Sequence, residues 1–389
     1  MKSGIFSKST LTLFFIVFPM LTTDETGCMG LPVWGSMLFL ALILTIYERR
    51  KLVSDSLSAV VLWCLAIIIS VFSPYFVMSN DVIKYLAFAL LLIMLSNHYY
   101  NRDFFINIFF IYSIISVVMA ILIVLSFIEG YAHVDSIYEG QIRYSIGITG
   151  IYKNPNYIGS IINVAAFIFL NLLFFGKMKK IMKIILAALI LLILFSVVLT
   201  GTRAALLTFL LGFSFTILHF MKIKKISLGY FLLLLLGFIL LDQIQNYIEY
   251  SFNERGGITE DPRMNSWEWA WKLLKEAPLL GYGINSWDVL KRIGMLEGLH
   301  NIFLEFVLNQ GIISLFILFY LMTYGIKQVK KSDIFFVTGF CLVTTFPLLF
   351  QNGLLDITFW RVLLMNRIVI DYSAYSQNGF MALIINTKL

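Results

Sequence analysis

Composition and hydropathy together make this chain an all-α, polytopic integral membrane protein. Hydrophobic residues are 60% of its 389 residues and charged residues 13%, against roughly 45–50% and about 25% in soluble domains. The apolar residues fall in unbroken runs, where a membrane β-barrel would show alternating segments of about ten. With 36 Phe, 19 Tyr and 7 Trp, a soluble fold of this length has too little interior for its apolar surface. A soluble enzyme, a disordered chain and a disulfide-built secreted module are excluded on the same grounds.

Apolar runs lie near 9–23, 30–47, 56–72, 82–96, 104–128, 156–175, 184–200, 204–220, 226–241, 302–325, 333–350 and 357–372. That predicts about 12 transmembrane helices in one domain, 1–389, with short runs extending into their flanks to reach roughly 20 residues. The first run follows Lys2 and Lys8 like a signal peptide. Pro19 interrupts it and no small-residue cleavage site follows, so it reads as an uncleaved span. The last run carries Arg361 and Arg367 and is the least clear.

Basic residues orient the spans. Alternate connections carry Arg49, Arg50 and Lys51, then Arg102, then Lys177, Lys179, Lys180 and Lys183, then Lys222, Lys224 and Lys225, then Lys327, Lys330 and Lys331. With Lys2 and Lys8 these are 16 of the 29 Lys and Arg. Both termini are therefore predicted to be cytoplasmic. The net charge of +7 is explained the same way and needs no nucleic-acid partner. Cys64 and Cys341 sit in apolar runs and Cys28 near the first outer loop, a pattern without a disulfide framework or metal spacing.

The opposite face holds the informative polar residues. The segment 129–155 contains Arg143 and ends in Lys153-Asn-Pro-Asn156. Thr200-Gly-Thr-Arg203 is a tight turn opening the next span. The one long external loop, 242–301, holds Arg255, Arg263 and Arg292. Arginines are unexpected on this face. For Arg255 and Arg292 solubility of a long loop is an equal explanation; Arg203 stands in a short turn at the bilayer with no other charge nearby.

Within the loop, Met264, Trp267, Trp271 and Leu274 recur at helical spacing after Pro262. They predict an amphipathic helix on the membrane surface with Trp at headgroup level, ending at Pro278, and then a turn at Gly281-Tyr-Gly283. His300-Asn301 opens the next span, followed by Glu305 and Asn309-Gln-Gly311. Polar groups inside a span are costly and usually serve a site. His98, His133 and His219 lack such company.

The motifs Lys153-Asn-Pro-Asn156, Thr200-Gly-Thr-Arg203, Arg263-Met-Asn-Ser-Trp267, Pro278-Leu-Leu-Gly-Tyr-Gly283 and His300-Asn-Ile-Phe-Leu304 with Gly311, in this order and on one face, resemble the O-antigen ligase and polymerase family. Each motif alone is weak. The resemblance implies an inverting, metal-independent glycosyltransferase without a cofactor, acting outside the membrane on glycans linked to undecaprenyl diphosphate. It also implies that Arg203, Arg263 and His300 are catalytic.

The residue chemistry agrees with this. Guanidinium groups bind phosphate oxygens bidentately and keep their charge, and a histidine accepts a proton near neutral pH. Arg143, Asn301, Glu305, Arg255 and Arg292 are the further substrate-binding candidates. Glu305 stands either to orient His300 or to pair with a donor arginine. The expected partners are the donor, a lipid-linked glycan or lipid A core acceptor, membrane lipids and a chain-length regulator protein, with no nucleic acid.

Compact external segments favour a polymerase over a ligase. Two readings from other classes stay open. One is a transferase using a polyprenyl monophosphate donor with Asp24 and Glu25. The other is a lipid-glycan flippase, which the gathering of polar residues at one face disfavours.

Overall fold

A computed structural model describes residues 102–130, 132–134, 142–146, 155–223, 262–283, 299–323, 325–350, 357–375 and 381, with positions 61, 64, 65, 67, 68 and 71–75. The predicted spans at 9–23, 30–47, 82–96 and 226–241, most of 56–72, and the residues Asp24, Glu25, Cys28, His98, Arg255 and Arg292 lie outside them. So do Lys153 and Asn154.

The described helices are α1 (Arg102–Ile128), α2 (Pro155–Phe175), α3 (Lys180–Leu199), α4 (Arg203–Ile223), α5 (Pro262–Glu276), α6 (Ile302–Thr323), α7 (Ile334–Thr345) and α8 (Ile357–Tyr375). Five of them, α1 to α4 and α6, are long and apolar enough to cross a membrane. The start of α2 falls one residue before the predicted run, and that of α6 on it. α7 has only 12 helical residues, but the 3-10 stretch Phe346–Phe350 continues it. At rises of about 1.5 and 2.0 Å per residue the pair reaches roughly 28 Å, close to a bilayer's apolar thickness.

One feature of 129–155 was not predicted. Strands β1 (Ala132–Val134) and β2 (Ile142–Tyr144) form an antiparallel hairpin with His133 opposite Arg143. The Tyr144 ring meets Phe127 of α1 edge-on at 5.0 Å, which ties the hairpin to the end of that helix.

α2 is the central helix, buried at every position from Tyr157 to Asn171. Small residues let its neighbours approach closely, the main source of packing between membrane helices. A Cβ on Gly159 would stand 2.8 Å from that of Ala205. Phe167 fills the gap left by Gly212 of α4 and Gly339 of α7, where an added Cβ would come within 3.1 and 2.9 Å of its ring. Buried polar side chains pair across the helices: Asn171 donates to Thr216 at 3.2 Å, and Asn366 of α8 donates to Thr345 of α7 at 3.1 Å. α3 and α1 present Ile184, Leu191, Phe195, Phe110, Ile114 and Val118 outward, as a lipid-facing surface does.

The contacts also fix the two ends of the bundle. Phe175 packs on His219 at 4.8 Å, Lys222 lies over the Phe335 ring at 4.5 Å, and Ser373 donates to buried Asp333 at 2.6 Å. These join the α2–α3 connection, the end of α4, the start of α7 and the end of α8. Lys177, Lys179, Lys180, Lys183, Lys222, Lys327, Lys330 and Lys331 therefore gather at one end. Thr200–Arg203, the start of α2 and the start of α6 lie at the other. Arg367, the awkward charge of the last run, is ion-paired with Asp371 one turn on, and Asp333 also accepts the Met381 N–H at 3.1 Å.

Candidate active site

Two joints at the lysine-poor end carry the sequence motifs. In the first, the turn Thr200-Gly-Thr-Arg203 docks on the start of α2. Gly201 has φ 61°, a left-handed turn that glycine makes without a Cβ clash. Buried Thr202 donates its hydroxyl to the Pro155 carbonyl at 3.1 Å, with Asn156 Oδ1 at 3.4 Å. Asn163 Nδ2 donates to the Ala205 carbonyl at 2.6 Å. Pro155 and Asn156 at the start of α2 and the motif at 200–203 are thus one structural unit. It presents Arg203 as the first residue of α4, half-buried. A helix N-terminus is itself favourable to anions.

The second joint brings three motifs together. α5 packs Ala270, Leu273 and Leu274 against Leu304, Val307 and Leu308 of α6, with Tyr282 and Leu299 closing the cluster. The predicted apolar stripe of α5 is divided between the interior and the surface. Trp267 and Leu274 turn inward, while Met264 and Trp271 are exposed by 40% and 57%. The buried side of α5 also includes Ser266 and Ala270. Trp269 is also exposed, with Lys272 Nζ 4.8 Å above its ring.

After α5 the chain turns at Gly281 and runs onto α6. Gly311 has φ 76° and ψ 171°, so α6 is two helical pieces joined at a break. Such a break frees backbone groups that lipid cannot satisfy. The loop supplies the partners: Tyr282 N–H donates to the Leu308 carbonyl at 2.6 Å, and Ile312 N–H donates to the Pro278 carbonyl at 2.9 Å. A Cβ on Gly311 would lie 1.8 Å from the Leu279 carbonyl oxygen, and one on Gly281 2.4 Å from that of Leu308. Both glycines are required by backbone meeting backbone. Ser73 clamps the turn by donating to the Gly281 carbonyl at 2.6 Å, and Tyr75 packs on Tyr282 at 4.6 Å. The single Tyr282 O–H is shared between two acceptors, the Leu273 carbonyl at 3.1 Å and Glu276 Oε2 at 3.0 Å. Burial, reinforced by Glu276, pushes its phenol well above the usual 10.0, so it remains a donor throughout the neutral range.

His300 sits at the top of this joint. Its φ of 47° is the only positive value on a non-glycine among the described residues. Histidine tolerates this region better than most residues, yet the conformation must be held. On one side the Leu299 carbonyl accepts Trp267 Nε1–H at 2.7 Å. On the other, Asn301 caps α6, its Oδ1 accepting the Leu304 N–H at 3.1 Å. Asn301, a substrate-binding candidate by sequence, therefore has a capping role as well. Glu305 lies one turn into α6, half-buried.

Of the remaining candidates, Arg263 is the second residue of α5 and Arg143 the middle residue of β2. The roles of Ser73, Thr202 and Trp267 in holding the joints were not read from sequence. Thr202 and Trp267 were at least inside recognised motifs; Ser73, more than 200 residues from its partner, carried no signal.

The fold and this end of the bundle define a helical membrane protein whose polar motifs converge opposite a cluster of eight lysines. Residues 186–319 match the family model for O-antigen ligase, a membrane glycosyltransferase-like family, and so bear out the resemblance carried by the motifs. The match takes in Thr200–Arg203, the whole of α5, the glycine turn and His300. No curated protein matches the chain.

Proposed function

We propose that this protein is a polysaccharide polymerase of the O-antigen or capsule type. It transfers a glycan from undecaprenyl diphosphate to a hydroxyl of another lipid-linked repeat unit, with inversion and without a metal. The observation that carries the reading is the gathering of the described motif residues into two joints at the lysine-poor end. That end is the external face by the positive-inside rule, where lipid-linked glycans are joined.

In this reading Arg203 and Arg263 hold the donor diphosphate as bidentate, permanently charged partners. Arg143, Arg255 and Arg292 extend the binding surface. His300 takes the proton of the acceptor hydroxyl as its oxygen attacks the anomeric carbon. The anomeric carbon–oxygen bond breaks on the opposite face, and its electron pair leaves with the undecaprenyl diphosphate. Glu305 orients the imidazole or pairs with an arginine. Trp267 and Asn301 keep His300 in its left-handed backbone conformation. A chain-length regulator is an expected partner.

The ligase reading has one observation of its own, the description of the matched family. The acceptor separates them: a polymerase uses a second lipid-linked repeat, a ligase the lipid A core. The role of His300 is tested by single-turnover transfer with purified His300→Gln at saturating donor and acceptor. The base role predicts a loss of roughly 10²–10⁴-fold, because an amide takes no proton at neutral pH. A near-normal rate would exclude it.

A further inference from the structure

The break in α6 leaves one polar side chain conspicuously unsatisfied. Around it, the Leu308 carbonyl, the Ile312 N–H and the Gly311 carbonyl are all paired, the last with the Ser314 hydroxyl at 2.6 Å. Asn309 is engaged as well. Gln310 is 0% exposed, and among the described residues neither its Oε1 nor its Nε2 has a hydrogen-bond partner. A carboxamide buried without hydrogen bonds destabilises the fold. Leu or Met would fill the same space without that cost.

Its position is informative. Gln310 follows Ile302 and Phe306 at intervals of four on the side of α6 that joins the main core, whereas Leu304, Val307 and Leu308 face α5. Eight residues at 1.5 Å place it about 12 Å along the helix from Ile302, beneath His300. A second buried amide repeats the pattern. Asn163, eight residues into α2, spends Nδ2 on the Ala205 carbonyl, two residues past Arg203, and its Oδ1 has no partner. Unused amide atoms thus lie below both joints.

The geometry points to Gln310 as a sugar-reading residue that pairs with a hydroxyl or acetamido group of the glycan when the substrate is seated. This deepens the proposed transferase reading and rests on it. The ligand chemistry follows from the amide, which needs a donor and an acceptor together. A phosphate oxygen would engage only Nε2, and a polyprenyl chain neither atom. The arginines would then hold the charged diphosphate while Gln310 discriminates among neutral sugars.

Wild type, Gln310→Met and Gln310→Leu are compared as full-length protein in lipid nanodiscs. The substrate is the lipid-diphosphate-linked glycan extracted from the source membranes. Thermal unfolding and steady-state transfer are both read. Both variants are expected to unfold at the same or a higher temperature, with KM for the lipid-linked glycan raised at least about tenfold, the scale of two lost hydrogen bonds, and kcat little changed. Unchanged KM overturns the assignment whatever the stability. Lower unfolding temperatures, or failure of both variants to fold, also overturn it, because they show that a buried water already satisfies the amide. Wild-type protein that transfers no glycan overturns instead the transferase reading on which the inference stands.

Discussion

Arg203 shows how little freedom the site leaves a single residue. It opens α4 from a turn that Gly201 bends and Thr202 bonds to Pro155, 47 residues earlier in the chain, so its backbone is positioned by the start of α2. Lysine at this position keeps the charge and loses the planar fork. Arg203→Lys is expected to lose most transfer activity and Arg203→Ala nearly all, with the bundle still folded, since the side chain is half-exposed. Activity in membranes containing matched amounts of each variant checks this. Arg203→Ala that forms chains like wild type removes the residue from the diphosphate site.

Among the elements, the joint between α5 and α6 depends on backbone contact at two glycines. Alanine at Gly311 must displace the Leu279 carbonyl and adopt a φ that residues with a Cβ rarely take. Gly311→Ala is therefore expected to undock the 278–282 segment, costing more than about 2 kcal/mol and most activity together. Limited proteolysis of the loop, faster in the variant than in wild type, reads it directly; an unchanged cleavage pattern with full activity would show that the contact is dispensable.

This joint also marks the limit of what the chain discloses by itself. The helix starts at Pro155, Arg203, Pro262 and Ile302 were legible because proline, turn residues and hydropathy are local signals. The break at Gly311 was not, although the residue stood within a recognised motif, because its cause is a loop 30 residues away. The hairpin escaped because strands of three residues are too short to show alternation. How the Trp stripe of α5 divides was hidden for a related reason. Hydrophobicity alone does not say which side meets α6: Leu274 is buried there while Met264 and Trp271 are exposed.

For the molecule as a whole, eight lysines at one end and the motif residues at the other give the orientation a physical basis. Lysines concentrate on the cytoplasmic side of a bilayer, so α5, with only Lys272 and Lys275, is expected outside. In a background without native cysteines, a membrane-impermeant thiol reagent added to intact cells is expected to label a cysteine at exposed Glu268 and to spare one at exposed Lys179. The reverse pattern would put every motif in the cytoplasm. Orientation alone does not separate a transferase from a flippase, which would share this face; bond formation does. The deciding measurement is therefore made on purified wild-type protein in proteoliposomes supplied only with undecaprenyl-diphosphate-linked glycan. Lengthened lipid-linked glycans, with one undecaprenyl diphosphate released per bond, are predicted for wild type and not for Arg203→Ala. Glycan that crosses the bilayer with no new glycosidic bond would contradict the account.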